Sequence, residues 1–543
     1  MKNNLLLIMS VLFLASCETF RNIQRDLASV KPKNYIIVMH GLSGSPESFQ
    51  GMLPSLEDHL GQINPNYDYI PLRFKYSSGA KGADIERFVS EFENYLVKEI
   101  PVLNQEDKIS IIAHSQGGLV GYLWYLKALD GVDLKQRSYM ERVNGFVTLG
   151  TPFWGSRTTF LLGKVLPSKA IKDFVYDKMR YGDQEVVDIT SASEKIYNYF
   201  SKMASKNTVN VFYDPRMLNI MAVVPEMKGE EVPKNYFLKT FNDLKKKVVK
   251  VFDMRLNQGL RWESDQAVNV SSGRLGFYYF SDDIYEYMEL GKRTNVLKDD
   301  FNYARYFKTD PKVIMVEGAH AKASGYDAGY AIASIPDECI QPDKCVSTTY
   351  VHILKHLANC EKPANALGTC RINAYNSIVQ NLEVAKKSLS LETSEMIHKD
   401  MRTFSLGFDI ELPKNFVPPL ELLLDSNVTN YLQVNYVVGN DNKKHLLDVK
   451  KDGLIKNASQ LNYEIRLGRR FEWGSRIVNY SATKNKLNIQ ITGNVSPIND
   501  KVKWDVTRDY PLQMVINIPG LKKRTLVIPV RPTYTTFLDL KLD

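Results

Sequence analysis

A serine flanked by small residues, Ala113-His114-Ser115-Gln116-Gly117-Gly118, stands between an apolar run, Ile109 to Ala113, and a stretch of helical spacing, Gln116 to Leu129. A serine on a tight strand-to-helix turn presents its hydroxyl above a sheet, where it can attack a carbonyl. Positions 113 and 117 must be small, because such a turn strains the serine backbone and brings neighbouring main chain close. The chemistry this predicts is nucleophilic catalysis by Ser115. An attacked carbonyl becomes an oxyanion, which needs donors already in place. His40-Gly41-Leu42-Ser43-Gly44-Ser45 follows the first apolar run of the chain, about 75 residues ahead of the serine. The backbone N–H groups of Leu42 and Gln116 are therefore the expected oxyanion hole.

These groups need a sheet to hold them. Tyr35-Ile36-Ile37-Val38-Met39, Ile109 to Ala113, and Val143 to Leu149 are continuous apolar runs, the pattern of strands buried on both faces. Tyr67 to Tyr76 offers another strand, and Ile85, Phe88, Val89, Phe92 and Leu96 recur on one face of a helix. The alternation predicts β-α-β units and a parallel sheet, continued by strands at Leu218 to Val224 and Lys312 to Val316. Between them, Gly155 to about Asn207 reads as a helical cap insertion. From about Thr403 the texture changes to period two: Phe404, Leu406, Phe408, Ile410 and Leu412 alternate with polar residues. Leu432 to Val438, Leu461 to Leu467 and Leu487 to Ile491 repeat it. The expected organisation is a signal peptide over 1–16, a tether over 17–33, an α/β catalytic domain over 34–370, a helical connector over 371–399 and an antiparallel β-sandwich over 400–543.

A chain of 543 residues, 44% hydrophobic, can bury a large core without metals or cofactors. Its net charge of +9 is spread along the chain rather than gathered on one arm, which argues against a nucleic-acid binder. Lys2 precedes an apolar run, Leu5 to Leu14, too short to be a permanent span. The run ends Leu14-Ala15-Ser16-Cys17, which resembles the lipobox of bacterial lipoproteins and implies a lipidated Cys17 and export to a bacterial membrane. Glu18 in place of Asp, by resemblance to the enterobacterial sorting rule, favours the outer membrane. Four further cysteines, Cys339, Cys345, Cys360 and Cys370, allow three disulfide pairings in an oxidising compartment; the short-range Cys339–Cys345 and Cys360–Cys370 is the expected one. Their spacing does not suit zinc.

Together, His40-Gly41-Leu42-Ser43-Gly44, the Ser115 motif and Gly150-Thr151-Pro152-Phe153-Trp154-Gly155-Ser156 resemble bacterial lipases of the α/β-hydrolase superfamily, and GPI inositol-deacylase-like hydrolases share much of the pattern. The resemblance covers residues 35 to roughly 360. It implies that Phe153 and Trp154 border the acyl pocket, or else serve as core aromatics. The family's order of serine, acid, histidine points to Asp265, since Glu263-Ser264-Asp265-Gln266-Ala267-Val268-Asn269-Val270-Ser271-Ser272 resembles the lipase acid loop, with Asp282 and Asp283 as fallbacks. His320, just beyond the strand Lys312 to Val316, is the expected base. His352 and His356 compete from a helix; His40 is expected to brace the oxyanion loop, His114 to be structural, and His59, His398 and His445 to be incidental. The cluster Lys245, Lys246, Lys247 and Lys250 could meet anionic lipid or be a solvated face. The expected activity is hydrolysis of carboxylic esters, of lipids above all, at a membrane and without a cofactor. Acyl transfer, thioester cleavage and a non-catalytic binding lipoprotein remain open at this point.

Overall fold

The computed structural model describes residues 31–42, 44–49, 51–78, 84–155, 214–223, 268, 270–275, 277–281, 308–309, 312–317, 348–360, 370–388, 403–423, 432–436, 471–481, 485–495 and 510–543. Cys17, the cap insertion, the lysine cluster, Asp265, His320 and the Cys339–Cys345 pair lie outside these residues.

In chain order the first half comprises β1 (Lys33–Met39), α1 (Met52–Ile63), β2 (Asp68–Phe74), α2 (Ile85–Glu99), β3 (Lys108–His114), α3 (Gln116–Asp130), α4 (Leu134–Glu141), β4 (Val143–Leu149) and β5 (Met217–Val223). There follow α5, a single turn (Val270–Gly273), β6 (Phe277–Ser281), β7 (Lys308–Thr309), β8 (Lys312–Glu317), α6 (Thr348–Ala358) and α7 (Ile372–Ser388). The remainder is β9 (Thr403–Glu411), α8 (Leu420–Leu423), β10 (Leu432–Tyr436), β11 (Phe471–Ser481), β12 (Lys486–Val495), β13 (Tyr510–Ile516), β14 (Arg524–Val530) and β15 (Thr535–Lys541).

Six strands make an all-parallel sheet in the order β2-β1-β3-β4-β5-β8. The central strands are mostly apolar because helices cover both faces; β1 is buried from Asn34 to Met39, and all of β5 is buried. On one face α2 packs on α3 through Ile85, Phe88, Val89, Phe92 and Leu96. The Asp84 carboxylate starts α2 by accepting the Arg87 N–H at 2.7 Å, and Gly131 ends α3 in the left-handed region at φ +78°. α1, α6 and α7 cover the other face, and the Cys360–Cys370 disulfide joins the two ends of the connection between α6 and α7.

The C-terminal β region forms two sheets. One is antiparallel, β10-β13-β14. The other, β11-β12-β9-β15-β6-β7, is mixed rather than antiparallel, for β15 runs parallel to both of its neighbours, β9 and β6. Parallel pairing requires a long crossover, so sequence-local hairpin patterning does not disclose it. Strand β6 follows α5 and enters this sheet beside β15, with Thr535 opposite Phe277. Phe537 and Leu275 belong to the same continuous apolar core as α2 and α3.

Candidate active site

Ser115 stands at the carboxyl end of β3 with φ +53° and ψ −123°. A non-glycine residue with positive φ carries strain that the surroundings must sustain. Here two main-chain hydrogen bonds do so. The Ser115 N–H donates to the Leu149 carbonyl at 2.9 Å, and its carbonyl accepts from the Gly118 N–H at 3.0 Å. Its hydroxyl does not cap α3.

The glycines on either side are required by close approach. A Cβ on Gly117 would lie 2.4 Å from the His40 carbonyl oxygen and 2.7 Å from that of Met39, both main-chain atoms. One on Gly118 would overlap the Thr151 side chain, and one on Gly41 would stand 2.9 Å from the Ser115 Cβ. The turn after β1 is thereby seated directly on the serine turn. Gly44 N–H closes it by donating to the Gly41 carbonyl at 3.0 Å. Leu42 lies on this turn, and Gln116 opens α3, where backbone N–H groups are directed out of the helix end.

A brace surrounds this junction, of which the sequence singled out His40 but neither Tyr76 nor Ser78. The Tyr76 hydroxyl donates to the His40 carbonyl at 2.6 Å and lies 3.2 Å from the Gln116 side-chain oxygen, to which the Ser78 hydroxyl also donates at 3.3 Å. The Tyr76 ring stacks on the His40 imidazole at 4.2 Å, with the planes 3° apart. His40 Nδ1 lies 2.9 Å from the Gly41 carbonyl, and burial pushes the imidazole below its ordinary pKa, which keeps it neutral. His40 thus braces the turn after β1. Tyr76→Phe removes one hydroxyl that touches both the β1 turn and the first residue of α3, a loss of about 1–3 kcal/mol. The expected result is turnover lowered about tenfold with KM little changed; wild-type turnover by a folded Tyr76→Phe variant would refute the bracing role.

The other expected residues divide by place. Phe153 is wholly buried, edge-on to Tyr122 at 5.2 Å. Trp154 is buried, its indole N–H donating to the Arg274 carbonyl at 3.1 Å and its ring 6.0 Å from Phe537. Both pack in the apolar core. His356 Nε2 lies 2.7 Å from the Arg216 carbonyl, next to the amino end of β5, whereas Ser115 follows the carboxyl end of β3. In a parallel sheet these are opposite edges. His59 Nδ1 bonds the Tyr350 hydroxyl at 2.7 Å, between α1 and α6. Among the described residues no cluster of three or more His, Cys, Asp or Glu could hold a metal.

Residues 29–212 match the family described as "Putative serine esterase (DUF676)". Phospholipase PlaB from Legionella pneumophila, solved in complex with thio-NAD, superposes with a TM-score of 0.50 at 13% identity, over 94% of this chain and 93% of that one. The chain has an α/β-hydrolase fold. A second PlaB structure gives a TM-score of 0.49 at 11% identity, covering 94% of this chain and 93% of that chain. The mature lipase BlEst2 from Bacillus licheniformis gives 0.28 at 16%, over 45% of this chain and 80% of that one. No curated protein matches the chain. In this fold the strained serine follows β3 and the glycine turn follows β1, at the same end of the parallel sheet.

Proposed function

We propose that the protein is a serine esterase or lipase, acting on lipid esters at a bacterial membrane through Ser115, Asp265 and His320. The observation that carries this is Ser115 at φ +53° with the Gly41 turn pressed against it. In the reaction, Ser115 attacks the ester carbonyl while the His320 imidazole takes its proton. The N–H groups of Leu42 and Gln116 hold the oxyanion, the leaving alcohol receives the proton, and water hydrolyses the acyl-enzyme. Asp265 fixes the imidazole tautomer and balances its charge.

Chain length supports these partners. Glu317 ends β8 in register with Val223, near the end of β5, so both strands finish at the edge where Ser115 stands. His320 follows Glu317 by three residues and Asp265 precedes Val268 by three, a reach of about 10 Å each. Val268 is buried against Val223 and Met315. From β3 to β8 is three strand spacings, roughly 14 Å, which such a reach plus an imidazole can span. The serine esterase family match and the phospholipase likeness agree with an ester substrate.

The test offers the purified full chain a phosphatidylglycerol, a triacylglycerol and a short-chain p-nitrophenyl ester, and measures free fatty acid. Release from lipid, absent in Ser115→Ala, is expected. No release from any of the three would overturn the reading, and acyl recovered on an added alcohol instead of water would replace hydrolysis with transfer. In bacterial cells, Cys17→Ala should move the enzyme from the membrane to the soluble fraction if Cys17 is lipidated; an unchanged distribution would remove the anchor.

A further inference from the structure

We infer that Arg274, held by Thr533 and Tyr534 of the C-terminal sheet, is a positioning residue for the segment that carries the catalytic acid; this rests on Asp265 being that acid. Each residue from Ser271 to Arg274 is tied to the hydrolase sheet or its loops, or to the C-terminal sheet. Towards the hydrolase side, the Asn219 amide of β5 donates to the Gly273 carbonyl at 3.3 Å. The Trp154 N–H donates to the Ser272 carbonyl at 3.3 Å, and the Ser272 hydroxyl donates to the Gly155 carbonyl. Towards the C-terminal side, the Ser271 hydroxyl pairs with that of Ser405 on β9, and Thr535 Oγ1 of β15 donates to the Ser271 carbonyl at 2.8 Å. The segment is a bolt between two sheets.

Arg274 makes the most specific of these contacts. One arm of its guanidinium donates to Thr533 Oγ1 and the other to the Tyr534 hydroxyl, each at 2.8 Å, while the cation sits 4.1 Å over the Tyr534 ring. A two-armed donor of this kind fixes orientation as well as distance. Its carbonyl accepts the Trp154 indole N–H, and its N–H reaches back to the Val270 carbonyl at 2.9 Å. The acceptor is itself strained: Thr533 is β-branched and buried, yet lies at φ +68°, a conformation that persists only when its surroundings enforce it. The turn that creates it is closed by the Tyr534 N–H to the Arg531 carbonyl at 3.1 Å. A turn strained to present one hydroxyl to one arginine indicates a need for alignment more than for bulk cohesion.

Asp265 lies nine residues ahead of Arg274, so loosening the latch lets the carboxylate drift from the imidazole without touching Ser115. Displacement of a reacting group by about 1 Å can cost as much as 100-fold in rate. The experiment uses the full chain and a soluble short-chain ester, comparing Arg274→Gln, Thr533→Val and Thr533→Ser. Arg274→Gln and the near-isosteric Thr533→Val should lower kcat by about 10- to 100-fold with KM nearly constant. They should also move the acid limb of the kcat/KM profile to lower pH, because an imidazolium that loses its carboxylate releases its proton more easily. Thr533→Ser, which keeps the hydroxyl, should behave as wild type. Wild-type kcat in folded Arg274→Gln and Thr533→Val would overturn the latch, and so would a lower kcat with no displacement of the acid limb, which is the mark of packing alone. Full turnover by Asp265→Asn would remove the premise instead, a result that appears in a different variant and cannot be confused with the first two.

Discussion

His320→Ala is expected to lose turnover by about 10⁴-fold or more, while His352→Ala and His356→Ala keep most of theirs. The three imidazoles look alike in the sequence, and the sheet sets α6 apart from Ser115. His356 spends its Nε2 on the Arg216 carbonyl at 2.7 Å, at the amino edge of the parallel strands. Ser115 follows the carboxyl end of β3, and β8 ends at that same edge three residues before His320. Removing the His356 ring costs a buried hydrogen bond, about 1–2 kcal/mol of stability, but no proton transfer. His352 lies one turn earlier on the same helix, α6. The measurement is kcat/KM on a soluble ester together with labelling of Ser115 by a fluorophosphonate, which needs the imidazole to accept the serine proton. His320→Ala should label slowly and His356→Ala at the wild-type rate, with a lowered melting temperature. Active His320→Ala and inert His352→Ala would transfer the base to α6 and undo the triad as drawn.

The parts that were legible in the sequence are those set by local rules. Apolar runs gave β1, β3, β4 and β5 to within two residues at each end, since strands buried on both faces leave no other pattern. The serine turn was legible because strain demands small neighbours, and the distances at Gly117 and Gly41 supply the reason. What escaped depends on residues far apart. α1 carries Met52, Leu53, Leu56, Leu60 and Ile63 at helical spacing, a weaker signal than the apolar runs on either side of it. β6, five residues of Phe-Tyr-Tyr-Phe-Ser, finds its partner in β15 more than 250 positions later, and nothing near it in the chain announces that pairing. Tyr76 read only as the end of a strand, yet its hydroxyl meets a carbonyl 36 residues away and its ring stacks on His40.

These long-range contacts alter what the C-terminal strands are for. Sequence texture places a boundary near residue 400, because period-two patterning begins there. The packing runs across it: β6 supplies a strand to the later sheet, Phe537 enters the core of the hydrolase, and Arg274 fastens to Thr533 and Tyr534. A β region joined by a strand, a core residue and a two-armed hydrogen bond is coupled to the site it flanks.

Gly117→Ala should be the most damaging single-methyl change among the described glycines, lowering turnover by about 100-fold or more. The added carbon would sit 2.4 Å from the His40 oxygen, 2.7 Å from the Met39 oxygen and 2.9 Å from the Met39 carbonyl carbon. All three are main chain, so no rotamer can yield; the end of β1 must move, and with it the turn carrying Leu42. An oxyanion site tolerates displacement of only about 0.5 Å, so rate should fall much further than stability, for which overpacking costs about 1–3 kcal/mol. Gly118→Ala is milder by the same reasoning, because the obstacle there is the Thr151 side chain. Gly61→Ala provides the contrast: it lies within α1 with nothing inside 4 Å of the new carbon. It should stabilise the protein by roughly 0.5–1 kcal/mol and leave the rate alone. Turnover on a soluble ester and thermal unfolding of the three variants decide the matter, and a Gly117→Ala enzyme with wild-type kcat would mean that the β1 turn does not set the oxyanion geometry.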